Sequence, residues 1–200
     1  QICFSPKRIL VHRSIKDEFL KRLIERVDSV AQHTDHLNDP GMIMSYLISE
    51  KAVRQVEEQV AHTVSQGAKI VYSRERKGNL MMPVILDNVT RDMDIAKDME
   101  VFGPVIPIIA FDTIEEAVEI ANASVYGLMA GIITRNYKTA FKVASKLESG
   151  GVVLNGNGMY RTDEMPFGGY KASGIGREGI ACALDEMTQI KTVIIKGALS

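Results

Sequence analysis

The residue best suited to carry out a reaction is Cys3, in the run Gln1-Ile2-Cys3-Phe4-Ser5-Pro6. A thiolate is the best nucleophile that a side chain offers near neutral pH, but it needs surroundings that favour its formation. Most cysteines are instead small, buried, inert hydrophobic residues. Two interpretations therefore stand: an inert thiol, or the nucleophile of an enzyme whose first part would precede Gln1.

Two further stretches contain residues that could take part in catalysis or binding. One is Glu100-Val101-Phe102-Gly103-Pro104-Val105, and the other runs from Met165 to Glu178 with the sequence MPFGGYKASGIGRE. Each has an ordinary structural interpretation on its own. Glu100 can be a solvated residue before an apolar strand, and the Phe167-Gly168-Gly169 run can be a tight turn in which glycine supplies positive φ.

Composition limits the classes of protein to consider. The chain has 200 residues, of which 46% are hydrophobic and 24% charged, which is typical of an ordinary soluble globular domain. Its 24 basic residues are scattered among 25 acidic ones, so neither nucleic acid nor an anionic membrane is an expected partner. No apolar stretch approaches the roughly 20 residues that span a bilayer.

The cysteines and histidines show no framework. Cys3 and Cys182 are far apart, which predicts neither a disulfide nor a metal cluster and fits a reducing compartment, so we expect a cytoplasmic location. The one histidine pair with ligand-like spacing, His33 and His36, lies in a polar stretch, and we expect no metal there. A targeting segment, if there is one, would precede Gln1.

The first half of the chain predicts strands at 8–12, 69–72 and 81–86 and two helices. Ser14 is the expected N-cap of the first helix, and Ser49 and Gly67 are the expected start and stop signals of the second. The first helix has an apolar stripe formed by Ile15, Phe19, Leu20, Leu23, Ile24, Val27 and Val30, and the second uses Val53, Val56, Val60 and Val64.

The second half alternates regularly between strands and helices. Strands are predicted at 104–111, 129–134 and 151–154, with helices between them, the first opened by a capping box at 113–116. This order predicts an α/β fold with one mostly parallel sheet and flanking helices. A Gly-rich segment at 155–176 is too long for a simple connector, and a helix at 177–187 follows it. Residues 189–196 alternate like a half-exposed strand, which needs a partner from another domain or subunit.

Together, in order and spacing, the three stretches resemble those of the aldehyde dehydrogenase superfamily. The resemblance runs through essentially the whole chain and includes further matches: Leu47-Ile48-Ser49, Tyr126-Gly127-Leu128, Val153-Leu154-Asn155 and Ile190-Lys191-Thr192-Val193. It implies a catalytic domain at 1–187 and a C-terminal oligomerisation strand at 188–200, through which a homo-oligomer would form. It also implies that a cofactor-binding domain precedes Gln1.

The resemblance assigns roles to individual residues. Cys3 would be the nucleophile, Glu100 would bind the hydroxyls of the nicotinamide ribose of NAD or NADP, and Phe102 would pack against the nicotinamide. Phe167 would line the substrate funnel beside the sulfur, and Asn155 would lie at the base of the same region.

Other motif residues have weaker assignments. Arg161 lies in the stretch that resembles the substrate-entrance loop, where it would bind a carboxylate or phosphate of an anionic aldehyde. The alternative is that Arg161 pairs with Asp163 or Glu164. Three further motif residues are expected to form structural ion pairs rather than to act in catalysis: Lys171, Arg177 and Glu178. The sequence also departs from the family's usual Gly-Pro-Leu-Ile at 44–48, which we expect to alter only a surface connection.

The resemblance implies oxidation of a small aldehyde to a carboxylic acid with NAD or NADP, through a cysteine thiohemiacetal and a thioester. We expect the 200 residues alone to be nearly inactive, because in the family the preceding domain supplies the water-activating Glu and one oxyanion donor. Two alternatives stay open: a non-catalytic, self-associating module, and a relative that transfers the acyl group to coenzyme A. The sequence does not distinguish NAD from NADP.

Overall fold

The computed structural model describes residues 1–31 and 44–197. Its central sheet contains β1 (Ile9–His12), β2 (Lys69–Tyr72), β3 (Val84–Val89) and β4 (Val105–Phe111) in the order β1-β4-β3-β2. β4 is parallel to both of its neighbours, and β2 is antiparallel at the edge. The predicted strand at 81–86 is displaced, because β3 begins at Val84 rather than at Met81.

One face of the sheet is covered by α1 (Lys16–Ala31). Ile85 and Ile108 point to this face, where most of the predicted apolar stripe packs: Phe19, Leu20, Leu23, Ile24 and Val27. Ser14 does not cap α1 and the prediction is wrong. Ser14 lies inside a 3₁₀ turn at Arg13–Ile15, because the His12 ring accepts its backbone N–H and starts the turn two residues earlier.

The opposite face is covered by α2 (Glu50–Ser65), as its start and stop signals predict. The Ser49 hydroxyl accepts the Ala52 N–H at 3.1 Å, and Gly67 follows the helix with φ of +113°. Three valines of α2 are buried against Leu86 and Ile109, the strand residues that alternate with the α1-facing ones: Val53, Val56 and Val60. Val64 is exposed at the end of the stripe.

Helix α3 (Ile114–Asn122) begins at the predicted cap. The Thr113 hydroxyl accepts the Glu116 N–H at 3.1 Å, and the Glu116 carboxylate accepts the Asp112 N–H at 2.7 Å. Its buried Ile120 belongs to the same core cluster as α2. The two faces of the sheet are therefore covered by α1 on one side and by α2 and α3 on the other.

The second half of the chain forms two small sheets instead of extending the central one. β5 (Tyr126–Gly127) is followed by β6 (Met129–Ile132), α4 (Tyr137–Ala144) and β7 (Gly151–Leu154), and β6 pairs with β7 in parallel. β8 (Tyr170–Lys171) pairs with β5 in antiparallel fashion. The prediction of one sheet shared by β4, β6 and β7 is wrong, because β1 and β3 occupy both edges of β4.

The last helix is α5 (Ile180–Met187), which begins three residues after the predicted start at Arg177. In the described part of the chain, residues 188–197 form no strand and their side chains are exposed. The oligomerisation strand at 188–200 therefore stays a prediction, since it needs a partner from outside this chain. The α/β class with a mostly parallel sheet and flanking helices is confirmed.

Candidate active site

Cys3 lies in a turn that leads into β1, and its side chain is a free, exposed thiol. The turn is closed by Ser5, whose N–H and hydroxyl both donate to the Ile2 carbonyl, at 3.3 and 2.9 Å. β1 then enters the central sheet beside β4. The sheet thus anchors one side of the turn that presents the sulfur.

The other side of the turn is anchored by Gln1. Its amide nitrogen donates to the Tyr46 carbonyl at 3.0 Å, and its amide oxygen accepts the Ile48 N–H at 3.2 Å. These acceptor and donor groups belong to the stretch in which the sequence departs from the usual family pattern. The departure therefore lies against the candidate nucleophile's own segment.

Lys7 connects the Cys3 turn with the segment that contains Glu100 and Phe102. Its ammonium donates to the Val101 carbonyl at 3.0 Å and to the Ile2 carbonyl at 3.4 Å, and it lies 4.2 Å from the centre of the Phe102 ring. Burial lowers the pKa of Lys7, while the negative charges of Glu100 and of ionised Cys3 oppose this effect. Lys7 therefore links the Cys3 turn to the segment that carries Glu100.

Glu100 and Phe102 precede β4, where the prediction expected a clamp for the cofactor. Glu100 is half-buried, and its backbone carbonyl accepts a hydrogen bond from the Gln59 side chain at 3.0 Å. Within residues 1–31 and 44–197 no donor binds its carboxylate, so both oxygens can accept. Phe102 is 41% exposed, so part of its apolar surface is accessible although the Lys7 ammonium lies over its ring.

Phe167 is nearly buried and lies beside the residue that follows Cys3. Its ring meets the Phe4 ring edge to face, with centroids 5.5 Å apart and an interplanar angle of 70°. Paired backbone hydrogen bonds with Glu178, at 2.8 and 2.6 Å, fix the main chain of Phe167. The structure thus brings Phe167 to the Cys3 turn.

Arg161 lies against the same ring. Its guanidinium carbon is 4.2 Å from the centre of Phe167, and it donates to the Glu178 carboxylate at 3.1 Å. Pairing with Asp163 or Glu164 was expected as the alternative to anion binding, and that pairing is wrong, because the Phe167–Glu178 bridge places a different carboxylate closer. The guanidinium is thereby held next to Phe167 by an exposed partner.

Asn155 is placed differently from the other predicted residues. It follows β7 with φ of +56°, and its side-chain oxygen accepts the Thr134 N–H at 3.0 Å. Its own N–H donates to the Ile132 carbonyl at 2.6 Å. No contact among the described residues joins Asn155 to Cys3, so its role at the base of the substrate region stays a prediction.

Lys171, Arg177 and Glu178 were expected to have structural roles. Lys171 pairs with Glu148, and Glu178 pairs with Arg161, which confirms ion pairing for both. Arg177 instead donates to the carbonyls of Gly169 and Gly176, at 3.1 and 2.8 Å. All three stabilise the Gly-rich segment that positions Phe167.

Features elsewhere do not compete with this site. A groove of about 830 Å³ lies between α2 and the β2–β3 hairpin, and none of the predicted site residues lines it. Within the described ranges, no group of three or more His, Cys, Asp or Glu residues could hold a metal ion, and His33 and His36 fall outside those ranges. In the same part of the chain, no helix combines the length and apolar character required to cross a bilayer.

Sequence comparison decides the family. The sequence model described as the aldehyde dehydrogenase family matches residues 1–193. The chain belongs to the aldehyde dehydrogenase family. Similar proteins include the lactaldehyde dehydrogenase of Methanococcus aeolicus, 38% identical over 195 residues, which cover 98% of this chain and 41% of that protein. The NADP-dependent glyceraldehyde-3-phosphate dehydrogenase of Streptococcus equinus is 40% identical over 195 residues, covering 97% and 40%.

Solved structures of aldehyde dehydrogenases have the same fold. Aldehyde dehydrogenase 21 of Physcomitrella patens, in complex with the reaction product succinate, matches with a TM-score of 0.89 and 31% identity, covering 100% of this chain and 41% of that one. The glyceraldehyde-3-phosphate dehydrogenase GapN of Methanocaldococcus jannaschii, complexed with NADP, matches with a TM-score of 0.85 and 38% identity, covering 97% and 41%. This aldehyde dehydrogenase chain therefore spans about 40% of the length of the relatives that it matches.

Two residues of the site were missed by the sequence analysis: Phe4 and Lys7. Phe4 follows Cys3 directly, and an aromatic residue next to a candidate nucleophile was a signal for a contact with another aromatic residue. Lys7 was a cation four positions after a thiol, but its link to Val101 depends on the pairing of β1 with β4.

Proposed function

We propose that the protein to which these residues belong oxidises an aldehyde to a carboxylic acid with NAD or NADP, and that Cys3 is the nucleophile. The observation that carries this proposal is the convergence on the Cys3 turn of two predicted elements. Lys7 links the turn to Glu100 and Phe102, and Phe4 links it to Phe167. Membership of the aldehyde dehydrogenase family supports the reaction class.

The first step is attack of the Cys3 thiolate on the carbonyl carbon. A carbon–sulfur bond forms, and the carbonyl π electrons move to oxygen, which gives a thiohemiacetal oxyanion. The backbone N–H of Cys3 is a suitable donor to that oxygen, and one such donor typically lowers a barrier by about 2.7 to 4 kcal/mol. Phe167 and Phe4 provide an apolar wall beside the sulfur.

The Glu100 segment suits a nicotinamide ribose. Its half-buried carboxylate has two free acceptor oxygens within the described structure, which match the two hydroxyl donors of a ribose, and the exposed Phe102 ring provides a surface for a flat heterocycle. Bound there, an oxidised nicotinamide would supply the acceptor for a hydride, one proton with two electrons, from the former carbonyl carbon. Cys3 is then left as a thioester, which water hydrolyses to the acid and the free thiol.

The role of Cys3 is tested in the full product of the gene that encodes this chain. Replacing the nucleophile, Cys3→Ser, is expected to lower turnover by about a thousandfold or more, measured as absorbance of the reduced nicotinamide. Cys182→Ser is the matched control. It is expected to retain activity, because Cys182 lies on α5, which contributes none of the proposed site residues. A Cys3→Ser enzyme that keeps a tenth of the turnover excludes Cys3 as nucleophile.

We further propose that the 200 residues alone turn over negligibly, since they span about 40% of the length of active relatives. Mixing the purified chain with small aldehydes and either nicotinamide tests this directly, and robust turnover contradicts it.

The acyl-transfer alternative is tested by adding coenzyme A to a turnover assay of the full gene product. We expect water to be the acyl acceptor and the rate to be unchanged.

We also propose an anionic aldehyde as substrate. Arg161 is held at the face of Phe167 by Glu178, a carboxylate that is 72% exposed and that a substrate carboxylate or phosphate could replace. The matched relatives include a glyceraldehyde-3-phosphate dehydrogenase, whose name gives a phosphate-bearing aldehyde, and a structure that contains succinate, a dicarboxylate.

The C-terminal stretch supports self-association. α5 exposes Ile180, Leu184 and Met187 at helical spacing, and Val193 and Ile194 are about three-quarters exposed. We propose that residues 188–200 pair with a second copy and cover this surface. Light scattering after size exclusion tests it: Val193→Lys is expected to lower the oligomeric mass, whereas Lys191→Glu, as a control on an exposed polar position, is not. An unchanged mass with Val193→Lys contradicts the proposal.

A further inference from the structure

Lys7 makes more contacts with the site than its position in the sequence suggests. Its ammonium bridges the Ile2 and Val101 carbonyls and lies over the Phe102 ring. Ile2 precedes the nucleophile, and Val101 lies between the two residues proposed to contact the cofactor. A single side chain therefore joins the two segments that must be aligned for the reaction.

The charge of Lys7 is also unusual for its location. The side chain is half-buried, and burial alone disfavours an ammonium. The charged groups that act on it are the carboxylate of Glu100 and the thiolate form of Cys3, and both favour its protonated form. A positive charge at this point lies between the Cys3 turn and the segment that carries Glu100.

We propose that Lys7 is a positioning residue that holds the Cys3 turn against the Glu100–Phe102 segment and places a positive charge beside the sulfur. The inference rests on the proposed function, since it takes Cys3 as the nucleophile. Its second consequence concerns reagents: a carbon electrophile that carries a negative charge is drawn to Cys3, and a neutral one of similar size is not.

A purely structural role predicts something different. If the lysine stem only fills space beside Phe102, an uncharged side chain of the same length preserves the reactivity of Cys3 towards every reagent. The charge selectivity of Cys3 therefore separates the two roles. This selectivity can be measured on the chain itself, without turnover.

The experiment compares alkylation by iodoacetate, an anion, with alkylation by iodoacetamide, its neutral analogue. Mass spectrometry quantifies labelling at Cys3 and at Cys182 separately, so Cys182 is an internal reference. The Lys7→Met chain is expected to lose about threefold in the iodoacetate-to-iodoacetamide rate ratio at Cys3, which is the order of change that one nearby charge produces in water. Lys7→Arg is expected to keep the ratio, and so is Lys138→Met, which removes an exposed lysine from α4.

Circular dichroism checks that each variant is folded. If Lys7→Met does not fold, the unsubstituted chain still provides the test. Salt at 1 M screens the charge of Lys7 and is expected to lower the iodoacetate-to-iodoacetamide rate ratio at Cys3. A Cys3 ratio that responds neither to Lys7→Met nor to salt overturns the proposal for Lys7. The role of Cys3 is judged separately by the turnover of Cys3→Ser, so the two failures are distinguishable.

Discussion

The ring of Phe4 packs edge to face against the ring of Phe167, with centroids 5.5 Å apart. This contact joins the turn that carries Cys3 to the Gly-rich segment near the other end of the chain. Edge-to-face aromatic pairs contribute about 0.5 to 1.5 kcal/mol beyond the area that they bury. The position of Cys3 relative to Phe167 therefore depends on a direct side-chain contact as well as on the sheet.

A double-mutant cycle measures this contact. Phe4→Leu and Phe167→Leu are expected to be non-additive by about 0.5 to 1.5 kcal/mol in the free energy of unfolding, because either one removes the aromatic pair. Urea unfolding of the chain gives the four values. Phe4→Leu with Phe111→Leu is the control, since Phe111 contacts His12 instead and should be additive with Phe4. Additivity of the Phe4 and Phe167 changes would show that the ring contact contributes nothing.

Arg161 gives a prediction about substrate charge. In the full gene product, Arg161→Gln is expected to lower kcat/KM for an anionic aldehyde by about tenfold to a hundredfold, as loss of a charged hydrogen bond does, and to leave a neutral aldehyde almost unaffected. Glu178→Gln should act in the opposite direction, because it frees the guanidinium from its partner. Steady-state kinetics on both aldehydes provides the comparison. Equal losses on the two substrates would remove anion binding as the role of Arg161.

Gly150 gives a prediction about backbone packing. A Cβ at this position would collide with the carbonyl oxygen of Gly168, which is main chain and has little freedom to move. Gly150→Ala is expected to destabilise the chain by about 2 to 3 kcal/mol, measured by urea unfolding. Lys146→Ala, an exposed change nearby, should stay within about 0.5 kcal/mol. A Gly150→Ala chain as stable as this control would mean that the two segments do not approach so closely.

The stability of the chain should depend on pH through Glu50. Its carboxylate pairs with Arg76 at 3.0 Å, and this hydrogen bond lowers the pKa of Glu50 below its ordinary value of 4.5. The folded state binds this proton less readily than the unfolded state, so the stabilisation is complete above about pH 4.5 and is lost as the pH falls through the folded pKa.

Arg76→Met tests this dependence. The difference in stability between the unsubstituted chain and Arg76→Met is expected to be constant from pH 7 to 5 and to shrink towards pH 3, measured by urea unfolding at each pH. Lys138→Met, which removes an exposed cation of α4 outside this cluster, should show no such trend. A difference that does not change with pH would exclude the Glu50 pairing as its source.

Local signals accounted for the elements that were predicted correctly. Ser49 and Gly67 define α2 because a cap and a positive-φ glycine act within a few residues of the backbone that they satisfy. Ser14 failed as a cap because the His12 ring accepts the Ser14 backbone N–H and also contacts the Ser14 hydroxyl, so Ser14 is held inside the turn that precedes α1. Whether His12 or Ser14 starts the turn is decided by side-chain geometry, which the sequence pattern does not contain.

Non-local relationships account for the rest. The sheet predicted from β4, β6 and β7 failed because β1, from the start of the chain, takes an edge of β4. The same pairing brings Lys7 to Val101 and so creates the link that was missed. The resemblance to the family supplied Cys3, Glu100 and Phe167, whereas the contacts that join them depend on strands that are distant in sequence.

The pairing of β1 with β4 also has a consequence for how the chain is made. Ile9 has its register partner at Ile108, so within the described residues the strand after the Cys3 turn has no strand partner until β4 has been synthesised. At translation rates of about 5 to 20 residues per second, roughly 5 to 20 seconds separate the two strands. During that interval a nascent chain carries the Cys3 turn without the sheet contact that later anchors it.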